Sequence, residues 1–281
     1  MRINVNGTSL FFDVEGPKLV AVDSAMVERP TVVLLHGGPG FDHSGFKPSF
    51  SQLADVAQLV YLDHRGNGRS DRSDPSSWRL DVWADDVRAF CDALGIEHPI
   101  VLGWSFGGFV AMAYAARYPD HPSRLVLQST AARLDVDAVA EAFRQIGGDA
   151  AADAAKAFWT NHDDESMVAY MQHCLPCYSP EPMDPNEMTR AVLNFDLLKG
   201  FDGEMEMDQR AGLAAVTCPT LVLSGTLDPI TPPSSSAEIM SALPPGVGQL
   251  ETFERSGHYI HQTEPDPFFA ALERFITTPT S

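Results

Sequence analysis

Apolar and polar residues follow one another along this chain in short blocks that predict strands and helices in turn. Continuous apolar runs at residues 31–35, 59–62 and 100–102 are typical of strands that are covered on both faces. Apolar residues then recur at helical spacing over residues 81–94, with Gly95 at the C-terminal cap position, and over residues 109–117. Strands that alternate with helices in this way predict right-handed crossovers and a mostly parallel, twisted sheet flanked by helices.

The pattern extends toward both ends of the chain. Strands at residues 3–5 and 10–14 flank Asn6-Gly7, which is a hairpin signal, and residues 16–30 form a connector. The remaining predicted elements are strands at 125–127, 220–225 and 250–253 and helices at 50–57, 236–243 and 267–275. Thr263, three residues before Asp266, is expected to cap the last helix.

The alternation of strands and helices stops between residues 131 and 213. Helix-prone, Ala-rich and acidic stretches at 138–146, 150–159 and 165–174 precede a Pro-rich segment at 176–185 and further helix-like sequence at 186–198. This predicts an α/β fold in which residues 1–130 and 214–281 form the core. Residues 131–213 are then a helical cap inserted after the sixth strand.

The composition narrows the class of protein. The chain has 281 residues, and its 19 basic and 38 acidic residues give a net charge of −19. Such a surface repels phosphate backbones and anionic lipids, so we expect neither nucleic acid nor membrane as a partner. The N-terminus lacks a signal-peptide pattern, and four cysteines fit ordinary thiols in a reducing compartment, so a cytoplasmic location is expected. Cys174-x-x-Cys177 lacks further ligands, so neither a metal nor a cofactor is predicted.

The turn between the strand at 100–102 and the next helix is the strongest chemical signal. It has the pattern Gly-x-Ser-x-Gly around Ser105. Glycines two residues before and after the serine allow a sharp strand-to-helix turn, which lifts the hydroxyl toward the N-terminus of the helix. The free backbone N–H groups and partial positive charge of that end favour developing negative charge. Ser105 is therefore a candidate nucleophile.

A serine nucleophile needs a base, and the base needs a carboxylate that orients it. Asp228 follows the strand at 220–225, and His258 follows the strand at 250–253, which is the order expected behind such a turn. His261 is a rival base, but it lacks the preceding glycine. Three acids at less suitable offsets are rivals of Asp228, namely Asp55, Asp63 and Asp266.

A tetrahedral intermediate requires two N–H donors for its oxyanion. The backbone N–H of Phe106, at the start of the nucleophile helix, is the first candidate. The second should come from His36-Gly-Gly-Pro-Gly40, the loop after the strand at 31–35. Pro39 has no N–H, which leaves Gly38 as the predicted donor.

Together these motifs resemble the α/β-hydrolase superfamily. They are HGGPG at 36–40, DHRGNGRS at 63–70, GWSFGG at 103–108, Asp228 and Gly257-His258. The HGGPG form resembles the proline iminopeptidase branch in particular. The resemblance implies a catalytic triad of Ser105, Asp228 and His258 and an oxyanion hole of Gly38 and Phe106. It also implies that Arg65 braces its loop. The chain departs from that branch at Phe106, where the branch commonly has Trp.

The resemblance implies removal of an N-terminal residue or aminoacyl group from a short peptide or small amide. That branch recognises the free α-amino group with cap carboxylates, for which four acids are available here: Asp196, Glu204, Glu206 and Asp208. The alternative is a carboxylesterase or lactonase whose pocket for a small acyl group is apolar. Aromatic residues are available for it at Phe41, Phe46, Phe106, Trp159, Phe195 and Phe201. A ligand receptor on the same scaffold is a third hypothesis, and the sequence leaves the oligomeric state open.

Overall fold

A computed structural model describes residues 1–161, 163–184, 186–200 and 207–279. It contains an eight-stranded sheet and a separate two-stranded hairpin. The strands of the large sheet are β1 (Arg2–Val5), β2 (Thr8–Glu15), β5 (Thr31–Leu35), β6 (Gln58–Leu62), β7 (Ile100–Trp104), β8 (Arg124–Gln128), β9 (Thr220–Gly225) and β10 (Gly248–Phe253). The hairpin pairs β3 (Leu19–Val22) with β4 (Ala25–Glu28).

The strand order of the large sheet is β1-β2-β6-β5-β7-β8-β9-β10. Strands β1, β2 and β6 pair antiparallel, and every pair from β6 to β10 is parallel. The carboxyl ends of β5, β7, β8 and β9 therefore meet at one edge, where ligand sites of open α/β sheets lie. The mostly parallel sheet predicted from the alternating pattern is confirmed.

Helices cover both faces of the sheet or lie between β8 and β9. They are α1 (Leu80–Leu94), α2 (Phe106–Arg117), α3 (Val136–Asn161), α4 (Asp164–His173), α5 (Glu187–Arg190), α6 (Phe195–Gly200), α7 (Arg210–Leu213), α8 (Pro233–Ala242), α9 (Ile260–Thr263) and α10 (Pro265–Thr277). The sheet separates two buried apolar clusters, one that includes α1 and α2 and one that includes α10. Strands β5, β7, β8 and β9 are buried along their whole length, and β6 is buried from Leu59 to Leu62, which explains the continuous apolar runs.

Helices α3 to α7 all fall between β8, the sixth strand of the large sheet, and β9. We call residues 131–213 the insertion. A third apolar cluster joins α3 and α4 around Phe143 and Tyr170, and Ile230 from the core packs into it. The helix α3 is broken at Gly148, whose φ is 74°. A backbone hydrogen bond of 2.7 Å from Gln209 to Ala132 joins the two connections of the insertion to the core.

Three local predictions were wrong. Residues 16–30, expected to be a connector, contain the exposed hairpin of β3 and β4, whose short strands lack a buried face that would reveal them. The helix expected at 50–57 is a 3-10 helix over Ser49–Asp55. Thr263 does not cap the last helix, because Glu264 occupies the N-cap and the Thr263 hydroxyl donates to Ser256 instead.

Within the described ranges, no helix combines the length and the apolar character that a bilayer span requires.

Candidate active site

Ser105 lies at a strained turn between β7 and α2. Its φ of 54° and ψ of −120° are unusual for a residue with a side chain. The strain is held in place by close packing of the glycines around it. A Cβ atom on Gly103 would lie 2.3 Å from the carbonyl oxygen of Gly107, and one on Gly107 would lie 2.0 Å from that of Leu35. Both positions therefore exclude any side chain.

The backbone of Ser105 is fixed by the neighbouring strand. Its N–H donates to the carbonyl of Gln128 at 3.0 Å, and its own carbonyl accepts from the Thr130 hydroxyl at 2.8 Å. These bonds tie the turn to the end of β8, so the serine side chain is presented from a rigid support.

Asp228 and His258 form a buried pair beyond the ends of β9 and β10. His258 Nδ1 lies 2.8 Å from Asp228 Oδ2, and both side chains are at most 4% exposed. Three further bonds hold the carboxylate. Oδ1 accepts from the N–H groups of Ile230 and Thr231 at 2.9 and 3.0 Å, and Oδ2 accepts from the Thr231 hydroxyl at 2.6 Å. A carboxylate partner assigns the proton to Nδ1, which leaves Nε2 of His258 as a proton acceptor.

The insertion contacts the backbone of this histidine. The His258 N–H donates to the carbonyl of Tyr178 at 2.7 Å, and the two rings pack edge to face with centroids 5.3 Å apart. A Cβ atom on Gly257 would lie 2.2 Å from the same carbonyl oxygen. The glycine before His258, which singled it out in the sequence, is thus required by the close approach of the insertion.

Ser105 and His258 line one cavity. Within the described ranges, no hydrogen bond joins the Ser105 hydroxyl to His258. Such bonds are often long in unliganded enzymes and tighten when substrate binds. The structure therefore brings the serine and the His–Asp pair to the same cavity but shows only the second of the two bonds that a triad uses.

Gly38 and Phe106, the predicted oxyanion donors, line the same cavity. Phe106 is the first residue of α2, where N–H groups point along the helix axis toward the serine turn. Gly38 has a φ of 138°, and a Cβ on the preceding Gly37 would lie 3.3 Å from Ser105 Cβ. The HGGPG loop therefore runs directly beside Ser105.

His261, the rival base, is buried beneath the site and is not a cavity-lining residue. Its Nδ1 accepts from the Gln128 amide at 3.0 Å, and its ring packs edge to face on Trp104. Burial, together with the neighbouring His258, lowers the pKa of His261 to about 3. A base with that pKa accepts a proton poorly near neutral pH.

The DHRGNGRS loop is braced by buried polar contacts. Burial opposes ionisation of Asp63, but the hydrogen bonds from His43 and from the Arg69 N–H, together with the nearby His36, lower the pKa of the carboxyl. Arg65 makes a bidentate pair with Asp86 of α1, with both contacts at 2.7 Å. The Asp63 carboxylate is therefore already occupied by hydrogen bonds from His43 and Arg69. Asp55 and Asp266, the other rival acids, are exposed.

The cavity has a volume of about 160 Å³ and lies between the sheet edge and the insertion. Most of its wall is apolar. Aromatic and methionine side chains dominate: Phe41, Phe158, Trp159, Met167, Met171 and Met188 among others. Phe41 and Trp159, both predicted to bind substrate, are thus in its wall, whereas Phe46 belongs to the buried core.

Two carboxylates contribute to this wall within the described ranges, and an arginine pairs with each. Asp42 bonds to Arg69 and also accepts from the N–H of Val192 at 3.0 Å. Asp135 lies 2.6 Å from Arg133.

The sequence predicted four other acids as ligands of a substrate ammonium group. Asp196 is exposed and is not a lining residue, and Asp208 pairs with Arg210. Glu204 and Glu206, like Phe201, lie outside the described residues.

Comparisons with known proteins agree with this architecture. Residues 30–265 match the family model for the alpha/beta hydrolase fold. The chain therefore belongs to the alpha/beta hydrolase family, and the predicted fold class and enzymatic nature are confirmed.

The chain is also similar to individual members. It is 28% identical over 279 residues to proline iminopeptidase PfmaB of Pestalotiopsis fici, a match that covers 94% of each chain. It is 27% identical over 261 residues to the putative carbamate hydrolase RutD of Caulobacter sp., covering 89% of this chain and 91% of the relative. The crystal structure of proline iminopeptidase from Mycobacterium smegmatis superposes with a TM-score of 0.76 at 20% identity, covering 98% and 97% of the two chains. The resemblance to the proline iminopeptidase branch is confirmed as a similarity.

Sequence reasoning missed Tyr178, which touches His258, and Tyr170, which lies against Tyr178. Neither belongs to a motif, and no spacing rule relates the insertion to the loop after β10. The proximity of Tyr178 to Pro176 and Pro180, within a segment treated only as Pro-rich, gave no usable signal.

Proposed function

We propose that this hydrolase uses Ser105, His258 and Asp228 to form an acyl-enzyme with an uncharged, mainly apolar acyl group of a small ester or amide. One observation carries the proposal: the cavity shared by Ser105 and His258 is mainly apolar, and the carboxylates in its described wall are paired. A charged ammonium group buried there without a free partner would be strongly disfavoured.

The chemistry follows from the proposed roles. Ser105 Oγ attacks the substrate carbonyl while Nε2 of His258 takes the hydroxyl proton, and the imidazolium is stabilised by Asp228. The N–H groups of Gly38 and Phe106 bind the oxyanion of the tetrahedral intermediate. His258 then donates the proton to the departing alcohol or amine. In the second half, His258 takes a proton from the water that attacks the acyl-enzyme carbonyl. When the C–Oγ bond of the second tetrahedral intermediate breaks, His258 returns that proton to Ser105 Oγ and the acid leaves.

The nucleophile is tested with a fluorophosphonate probe followed by peptide mapping. We expect a single covalent adduct at Ser105 and none in the Ser105→Ala variant, since the probe phosphonylates an activated serine. An adduct on another serine would overturn the proposed nucleophile.

The acyl preference is tested with methyl cyclopentanecarboxylate and L-proline methyl ester at pH 7. The two esters share ring size and leaving group but differ by a ring CH₂ against NH₂⁺. We expect kcat/KM to be at least about tenfold higher for the uncharged ester, because the ammonium lacks a free partner in the described wall.

A second candidate function is proline iminopeptidase activity, favoured by the similarity to PfmaB over nearly the full length of both chains. Under that reading, Glu204 would pair with the substrate ammonium. A reversed ester preference, lost in Glu204→Gln but retained in Asp196→Asn, would support this candidate and reject the first.

A further inference from the structure

Two phenol groups interrupt the apolar wall of the cavity. Tyr170 of α4 and Tyr178 both line it, and their hydroxyl oxygens lie 2.6 Å apart. Tyr170 is 5% exposed and is packed by the rings of Phe143 and Phe158, so its hydroxyl cannot turn toward bulk water.

The pair has more donors than it uses. Burial raises the pKa of both tyrosines well above the usual range, so both phenols stay protonated near neutral pH. One O–H donates to the other oxygen, whichever tyrosine serves as donor. Within the described ranges the hydroxyls have no other partner, so one O–H remains available to a third group.

Trp159 provides a second donor in the same wall. It lines the cavity, and its ring packs edge to face with that of Tyr170, with centroids 6.3 Å apart. Its Nε1 is fully buried and has no hydrogen-bond partner among the described residues. A buried N–H without a partner is unfavourable, so such groups are usually satisfied by a ligand or by water.

The remaining charge in the wall restricts what this set of donors can bind. Arg133, which also lines the cavity, is already paired with Asp135 and with Glu238. The phenol and indole donors are neutral. A neutral donor set in an apolar wall suits an uncharged acceptor oxygen better than a carboxylate, which would be left without a counter-charge.

We propose that Tyr170, Tyr178 and Trp159 form a subsite that binds an uncharged acceptor oxygen, such as a ketone, ether or hydroxyl, carried by the acyl group of the substrate. This inference rests on the proposed function and deepens it. The substrate would be an oxygen-substituted acyl compound rather than a plain alkanoyl one, and the tyrosines and the tryptophan would be specificity-determining residues.

The test compares p-nitrophenyl esters of methoxyalkanoic acids with alkanoate esters of the same chain length, in which CH₂ replaces the ether oxygen. The oxygen is moved one carbon at a time along the chain. We expect one position to raise kcat/KM about tenfold over its CH₂ analogue, as a hydrogen bond to otherwise unsatisfied donors allows.

Variants that remove the phenol O–H groups one at a time test how much each donor contributes to the oxygen preference. Tyr170→Phe and Tyr178→Phe each keep one free O–H, so each should lose only part of the preference. The Y170F/Y178F double variant keeps both rings but no phenol and should reduce the preference to about threefold or less, with Trp159→Phe removing the remainder. Because the readout is a ratio of two substrates within one variant, a general loss of activity does not move it. Tyr118→Phe is the matched control, because this partly buried tyrosine donates to Asp85 and does not line the cavity, and it should leave the ratio unchanged.

A binding measurement separates this inference from the proposed function. The Ser105→Ala variant is titrated with the methyl esters of the same acid pairs. An oxygen preference in binding without turnover by the native protein would support the subsite and reject the hydrolytic mechanism. Turnover without any oxygen preference, or a preference that survives in the double variant combined with Trp159→Phe, would overturn the subsite alone.

Discussion

Four hydrogen bonds hold the carboxylate of Asp228 in the candidate site. Its carboxylate accepts from His258 and from three groups of Ile230 and Thr231, so its position is set by the loop that follows β9. A carboxylate held in this way fixes the ring orientation and the tautomer of the histidine.

Replacing Asp228 by Asn preserves shape but presents an amide to His258. We expect kcat to fall by about 10³- to 10⁴-fold, because the histidine then favours the wrong tautomer and its charged form loses its stabilising partner. Steady-state kinetics on the preferred ester provides the measurement.

The matched control for that change is Asp266→Asn, at an exposed rival acid in the first turn of α10. It should leave kcat within about twofold, since surface substitutions away from the site are usually mild. Retention of a tenth or more of native kcat by Asp228→Asn would exclude its role as the orienting acid.

At the scale of elements, the loop after β6 is joined to α1 by a buried ion pair. The side chains of Arg65 and Asp86 are 10% and 3% exposed, and Arg65 also bonds to the carbonyl of Asn6. The pair thus connects the loop, the helix and the turn between β1 and β2.

Asp86→Asn should destabilise the fold by about 3 kcal/mol, because it leaves the buried guanidinium without a counter-charge. Asp92→Asn is the control on the same helix. It breaks the exposed pair with Arg88, whose side chains are 34% and 54% exposed, and should lower stability by no more than about 0.5 kcal/mol. Urea unfolding of both variants measures how much unfolding free energy each one loses. Equal losses would mean that burial of the first pair contributes nothing.

At the scale of the whole molecule, the buried histidines make stability depend on pH. Burial lowers the pKa of His36, of His64 and, to about 3, of His261. These groups stay neutral in the folded state while the unfolded chain binds protons below about pH 6.5. Their contribution is complete above that pH and is lost as the pH falls from about 6.5 toward 3.

For His261 alone, lowering the pH from 6.5 to 5 should reduce the free energy of unfolding by about 1.6 kcal/mol, because the unfolded histidine is already half protonated at pH 6.5 and takes up the rest of its proton over this range. The His261 ring packs against the rings of Phe50, Trp104, Tyr259 and Phe268, and its other neighbours include Gln128 and His258. Urea titrations at both pH values should show a smaller loss for His261→Asn than for the native chain. An equal loss in both proteins would contradict this account.

Several elements and site residues lie where the pattern of the chain predicts them. The strand and helix at the Ser105 turn, the Gly95 cap of α1 with φ of 66°, and the positions of Asp228 and His258 after β9 and β10 all agree with the pattern of the chain. Each depends on residues close in sequence or on a fixed order of strands. The exposed hairpin at β3 and β4 was missed because its strands bury neither face.

The sequence by itself determined the sheet, the sharp turn at Ser105 and the carboxyl-end loops that carry Asp228 and His258, because hydrophobic period and glycine positions act locally. Only the tertiary structure decided how the cavity is lined. It placed Tyr178 on His258, set the phenols of Tyr170 and Tyr178 against each other, and left Asp196 outside the wall. These contacts join segments far apart in the chain, and the packing of the insertion over the sheet, rather than any local spacing, brings them together.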